Sequence, residues 1–306
     1  MAHSPRLTDL VLSRSATDRS AHLRKDSEWI AESLIDPSTR FICVHNSQFP
    51  FDGENLVVFK FEDIPQNAPT YFLGRDAGIV FFGVSAEADF VSALDPDSWL
   101  NLRAGGALVN DRDAGLLVAA IALDNWNSTH THCPRCGGKT VHSDAGWTRR
   151  CTTDNSIHFP RTDPAVIMLV TDPDDRVLLA RQSRWQIGSA SVLAGFVEAG
   201  ESAEAAVVRE VSEETGIAID PDSIEYLGSQ PWPFPNSLML GYQARAITTD
   251  ICVDGEEIVE ALWYDRAEIM ELCSAQKLHL PPRVSIAHQL ITRWYGEILP
   301  SSSSFR

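Results

Sequence analysis

Apolar residues in the first hundred positions come in short runs separated by turn-forming residues. The runs at 41–49 (FICVHNSQF), 54–63 (ENLVVFKFED), 70–75 (TYFLGR) and 77–85 (AGIVFFGVS) are rich in β-branched and aromatic side chains. They predict strands of an antiparallel sheet. Residues 110–127 (NDRDAGLLVAAIALDNWN) switch to an apolar stripe at helical spacing and predict a helix. A segment from about 128 to 160 carries three cysteines and is too short for a core of its own without a metal. Beyond it, 165–172 and 176–182 predict a strand hairpin, 203–215 a helix, and 224–230, 238–247 and 260–266 further strands, with a frayed tail from 298. This order divides the chain into an N-terminal α+β domain (1–127), a cysteine-bearing insert (128–160) and an α/β domain (161–306).

One stretch carries more chemistry than the rest, GFVEAGESAEAAVVREVSEETGI at 195–217. At about 100° per residue, Glu210, Glu213 and Glu214 share one helix face behind Arg209. Three carboxylates within one turn repel each other unless a cation sits among them, and hard divalent ions favour such all-oxygen sites. A merely solvated acidic face is the alternative for any single Glu pair. Gly195 and Gly200 suit a loop whose backbone approaches metal or phosphate, and Gly216 suits a left-handed helix cap. Glu201 and Arg209 suit a bracing ion pair, while Ala205, Ala206, Val208 and Val211 offer an apolar face to a sheet. The spacing of Gly195, Glu201, Arg209, Glu210, Val211, Glu213, Glu214, Gly216 and Ile217 resembles the Nudix box at every fixed position. That resemblance implies an α/β/α sandwich around a mixed sheet, and hydrolysis of a nucleoside diphosphate linked to another moiety.

Twelve residues after the box stands SQPWPFPNS, Ser229 to Ser237. Its three prolines alternate with Trp232 and Phe234, giving a stiff extended segment whose aromatic faces can stack on flat rings. Gln230, Asn236 and Ser237 add directed hydrogen bonds; a proline-rich loop with its aromatics tucked inside is the other reading. Together with the box, this segment resembles the signature of the NADH pyrophosphatase family. Members cut the pyrophosphate of NAD(H) into nicotinamide mononucleotide and AMP, and some remove NAD caps from RNA 5′ ends.

The same family carries a four-cysteine zinc ribbon ahead of its Nudix domain. Here Cys133, Cys136 and Cys151 keep the spacing, but Asp154 stands at the fourth position. Zinc accepts carboxylate oxygen, so Asp154 can close the site; His132, His142 and His158 are alternatives, as is a metal-free remnant.

The resemblance also implies residue roles. Glu210, Glu213 and Glu214, with the carbonyl of Ala194 and with Glu257, match the ligands of Mg²⁺ or Mn²⁺. One glutamate, Glu213 as the first choice, acts as general base. Phe159 and Phe196 match rings that sandwich nicotinamide, the former usually Tyr and supplied by a partner subunit, which implies a homodimer. Arg103 and Ala287 match substrate contacts, as do Gln230, Pro231, Trp232, Pro233, Phe234, Pro235, Asn236 and Ser237. Two rival functions stand beside this one. Another Nudix hydrolase, acting on ADP-ribose, a dinucleoside polyphosphate or coenzyme A, leaves SQPWPFPNS and CPRC unexplained. A non-catalytic NAD(H) sensor gains nothing from a repulsive carboxylate triad.

Composition bounds the remainder. With 306 residues, 44% hydrophobic, the chain is a globular protein with room for two domains. No run of 18 apolar residues is present, residues 1–26 lack the apolar core expected of a signal sequence, and Ser303–Arg306 is not expected to act as a peroxisomal address. Six cysteines, three of them in the insert, fit a reducing compartment and hence the cytoplasm, with Cys43, Cys252 and Cys273 as buried apolar residues. A net charge of −17 disfavours non-specific grip on nucleic acid without excluding one capped end. Arg149, Arg150, Arg161, Arg181 and Arg184 either form a local positive mouth or pair with acids.

Overall fold

The computed structural model describes residues 6–65 and 67–300, so the tail beyond 300 lies outside the described residues. The chain forms two compact units. One comprises 12–162 together with the turn Pro231–Ser237, and the other comprises 6–11, Asp163–Gln230 and 238–300. The cysteine-bearing insert therefore shares a unit with the N-terminal region.

In the first unit, α1 (Ser27–Ile35) precedes β1 (Arg40–Val44) and β2 (Gln48–Pro50). Then come β3 (Thr70–Asp76), β4 (Ile79–Ser85), α2 (Ala88–Ser92) and β5 (Trp99–Asn101). The runs at 70–75 and 77–85 form strands as expected, joined as a hairpin that turns through Ala77 (φ 48°) and Gly78 (φ 84°), a left-handed pair that matches strand twist. Three expectations are corrected. The sheet order is β1-β4-β3 with β1 parallel to β4, so the sheet is mixed rather than antiparallel. The 41–49 run breaks at Asn46 and Ser47, both at positive φ, and its end pairs with β5. Residues 54–63 make only isolated bridges, Leu56 to Phe51 and Phe59 to Phe41, before a 3-10 turn at Phe61–Asp63.

After α3 (Leu102–Gly105), α4 spans Asp111–Thr129, with the side chain of Asn110 accepting from Asp113 N as its cap. It lies so close to β4 that a Cβ at Gly83 would sit 3.2 Å from the Ala120 methyl. The insert is a three-stranded ribbon, β6 (Thr140–Ser143), β7 (Thr148–Cys151) and β8 (Ile157–His158), paired antiparallel in order.

The second unit contains β9 (Asp163–Thr171), β10 (Val177–Gln182), β11 (Leu193–Phe196) and α5 (Ala203–Thr215). There follow β12 (Glu225–Trp232), β13 (Ser237–Arg245), β14 (Ile258–Tyr264), α6 (Arg266–Ser274) and α7 (Ile286–Tyr295). The sheet runs β12-β13-β9-β10-β14 with β11 on β9. Strand alternation divides its two faces. Ile167, Leu169, Val177 and Leu179 join the cluster holding Ile269 of α6 and Leu290, Ile291 and Trp294 of α7. Val166, Met168, Val170, Leu178 and Ala180 join Ala206, Val207 and Val211 of α5. The result is the expected α/β/α sandwich, with one correction on α5. Ala205 faces solvent, and Val207 takes its place in the core. Among the described residues no helix is long and apolar enough to cross a membrane.

Candidate active site

The loop-helix at 195–217 is built as its residues dictate. Ser202 caps α5 by accepting from Ala205 N, and Gly216 ends it at φ 70°. A Cβ at 195 would fall inside the Glu210 carboxylate, so only glycine fits where β11 meets the helix. Arg209 is the internal cation of the segment. Its Nε and one terminal nitrogen donate to the two oxygens of Glu201 at 2.8 and 2.9 Å. Its other terminal nitrogen reaches Glu210 at 2.8 Å and Glu213 at 3.0 Å, and the one that meets Glu201 also donates to the Phe196 carbonyl at 2.9 Å. The bidentate partner holds Glu201 down to about 2, the bond from Arg209 dominating, helped by the Glu198 N–H.

Glu214 has no such relief. It is 4% exposed, and its Oε2 has no hydrogen-bond partner. Burial pushes its carboxyl up to about 8, and the negative fields of Glu257, Glu210, Asp254 and Glu213 add to that. Burial also raises Glu210, against the opposing pull of Arg209. A buried oxygen without a donor, in the negative field of four other carboxylates, fits a divalent cation by the chemistry of its donors, although the carboxylate oxygens are not gathered as closely as the ribbon's ligand atoms are. Ala194, on β11, pairs with Ile167 of β9, leaving its carbonyl on the same strand as Gly195. Glu257 lies in the loop before β14, exposed, and accepts from Gln182 at 2.9 Å.

The ribbon gathers a second donor set. The ligand atoms of Cys133, Cys136, Cys151 and Asp154 all lie within 4.8 Å of one another, alone among the described residues in forming such a group. Cys136 and Cys151 sulfurs are 3.4 Å apart, and Cys133 Sγ is 3.8 Å from Asp154 Oδ2. The Arg135 N–H donates to Cys133 Sγ, and those of Thr153 and Asp154 donate to Cys151 Sγ, each at 3.4 Å. Such amide-to-sulfur bonds favour thiolates, and zinc bonds of about 2.3 Å fit a cluster of this size. The three histidines are not part of the group. His132 Nδ1 contacts Thr131 Oγ1, His158 Nε2 contacts Ser156 Oγ, and His142 lies against Tyr71.

The proline-rich segment forms the end of β12 and the turn into β13. Trp232 and Phe234 meet edge-on, centroids 4.9 Å apart, and Phe234–Pro235 is a cis peptide. The Arg103 guanidinium lies 4.9 Å from the Trp232 ring centre and 4.5 Å from that of Phe234. Pro233 is buried; Pro231, Asn236 and Ser237 are half-buried, and Pro235 is exposed. Gln230 is 0% exposed, and its amide donates to the Val284 carbonyl at 3.0 Å, so its side chain is held inside the fold. Ala287 is buried at the start of α7, where its N–H donates to Ser285 Oγ.

Phe159 and Phe196 are 71% and 58% exposed, each a large ring left in water on its own unit. Of the arginines read as a possible mouth, Arg149 is buried and bonded to Thr140 and Asn127. Arg181 pairs with Glu260 at 3.0 Å. Of the three cysteines expected inside, Cys43 and Cys273 are buried and Cys252 is exposed. Sequence reasoning missed Asn125, whose amide reaches the Pro233 and Pro235 carbonyls. Its place within an amphipathic helix gave no signal.

Residues 161–289 match the NUDIX domain, and 128–159 match the NADH pyrophosphatase zinc ribbon domain. The chain is 36% identical over 296 residues to the NAD-capped RNA hydrolase NudC of Mycobacterium bovis, covering 93% of this chain and 94% of that protein. The NAD-capped RNA hydrolase NUDT12 of Homo sapiens is 39% identical over 336 residues, covering 92% of this chain and 72% of that protein. With its box, its signature segment and its ribbon each in place, the chain belongs to the NADH pyrophosphatase family of Nudix hydrolases.

Proposed function

We propose that the chain hydrolyses the pyrophosphate bond of NAD(H) to nicotinamide mononucleotide and AMP, and removes NAD caps from RNA 5′ ends by the same cut. The observation that carries the reading is the buried, unpartnered oxygen of Glu214 in a chain that also holds the PWPFP turn. A binder of NAD(H) gains nothing from such an oxygen, and a generic Nudix hydrolase has no use for that turn.

Glu210, Glu213, Glu214 and Glu257, with the Ala194 carbonyl, would hold Mg²⁺ or Mn²⁺. Bound there, the ion would neutralise the pyrophosphate oxygens and lower the pKa of the attacking water. Glu213, exposed at the helix surface, takes the proton from that water as it attacks phosphorus and the P–O bond to the departing nucleotide breaks. Arg209 keeps the loop closed on the helix through Glu201. Phe159 and Phe196 stack on nicotinamide, and Arg103, Trp232, Phe234, Asn236 and Ser237 contact substrate from the signature turn and α3. The family resemblance brings one of the two rings from a second subunit, so the working form is a homodimer, and the cytoplasm is its compartment. Cys133, Cys136, Cys151 and Asp154 hold a structural zinc.

The test is to incubate the protein with NADH and either Mg²⁺ or Mn²⁺ and to separate the products by chromatography. Equimolar reduced nicotinamide mononucleotide and AMP, abolished by chelator, is the expected result. Intact NADH under both metals refutes the reading.

A further inference from the structure

The turn Pro231–Ser237 belongs to the same compact unit as α4, and one side chain of α4 grips it. Asn125 Nδ2 donates to the carbonyl of Pro233 at 3.2 Å and to that of Pro235 at 3.3 Å. A single amide thus bridges the residues on either side of Phe234. The orientation of that amide is set from behind. Ser47 Oγ donates to Asn125 Oδ1 at 2.9 Å, which turns both N–H groups toward the prolines. Ser47 sits at φ 61° in the break between β1 and β2, so the interrupted strand puts this hydroxyl in place. Asn is a weak helix former, and an alanine at 125 would suit α4 better were the helix all that mattered. The rings on the gripped turn are the ones that meet edge-on beneath Arg103.

We infer that Asn125 is a positioning residue for the reaction: oriented by Ser47, it fixes the turn that presents Trp232 and Phe234, and so sets substrate affinity without touching substrate. The N-terminal region thereby acquires a role in binding. The inference rests on the reading of that turn as part of the substrate site.

The experiment is a kinetic cycle on NADH with wild type, Asn125→Ala, Ser47→Ala, Trp232→Ala and the Asn125→Ala/Trp232→Ala double variant, each with its melting temperature. Asn125→Ala is expected to raise KM at least about fivefold with kcat within about twofold. Ser47→Ala should shift KM in the same direction by a smaller factor, and it stands in if Asn125→Ala fails to fold. In the double variant, Asn125→Ala should add less than about twofold to Trp232→Ala, because it acts through the ring already removed. An impaired Trp232→Ala beside normal Asn125→Ala and Ser47→Ala overturns this inference alone, as does full additivity in the cycle. A Trp232→Ala enzyme equal to wild type overturns the reading of the turn and this inference with it.

Discussion

Glu214 shares a helix face with Glu210 and Glu213, and of the three it alone is buried, with Oε2 lacking a donor. Replacing Glu213 or Glu214 with Gln should keep the fold and lower kcat by roughly 10²-fold or more, the scale of losing a general base or a ligand to a catalytic metal. Near wild-type turnover in both variants would remove the triad from the mechanism. Burial also gives a pH signature in protein stripped of metal. A carboxyl raised from 4.5 to about 8 binds its proton more tightly when folded, so its contribution to stability falls as pH rises through that window. The melting temperature of Glu214→Gln minus that of wild type, in chelator, should therefore grow between pH 5 and 8. A flat difference would place Glu214 in water. The two exposed rings make a separate prediction. Truncating Phe159 or Phe196 to Ala should cost NADH use roughly 1–3 kcal/mol in kcat/KM, the scale of one lost stacking partner, and leave ADP-ribose hydrolysis nearly unchanged. An unchanged ratio of the two substrates would mean that nicotinamide is read elsewhere.

At the level of elements, the sequence was most legible where periodicity and punctuation agreed. The runs at 70–75 and 77–85 were legible as strands by their β-branched and aromatic content, and α4 by its apolar stripe. Residues 54–63 misled because Leu56, Val57, Val58 and Phe59 have strand composition whether or not a partner strand exists, and pairing is decided by distant residues. The parallel β1–β4 pairing was equally hidden, since alternation gives the face of a strand and not its neighbour. In the candidate site, the box and ribbon were legible because metal ligands must recur at fixed spacing. The roles of Gln230 and Asn125 were not, because a polar residue reads the same in sequence whether it meets substrate or a carbonyl across the fold. The ribbon itself should carry one zinc per chain in protein purified without chelator, by elemental analysis. Cys133→Ser should lose that zinc and lower the melting temperature, since closed sites of this kind stabilise the fold on which they depend. Absent zinc together with an unchanged melting temperature would make the ribbon a metal-free remnant.

For the whole molecule, the central claim is that the chemistry acts on a pyrophosphate while the aromatic groups choose nicotinamide dinucleotides. The net charge of −17 gives no general attraction for RNA, so a capped transcript must be recognised through its NAD end. The measurement that tests this most directly is kcat/KM on NADH, ADP-ribose and an NAD-capped transcript in parallel, with Mn²⁺ and with chelator. Metal-dependent release of AMP from NADH, and of 5′-monophosphate RNA from the transcript, is the expected result. NADH is also expected to exceed ADP-ribose by about tenfold or more, the scale of 1–3 kcal/mol of stacking. Equal or better use of ADP-ribose, or turnover that persists without metal, would contradict that claim.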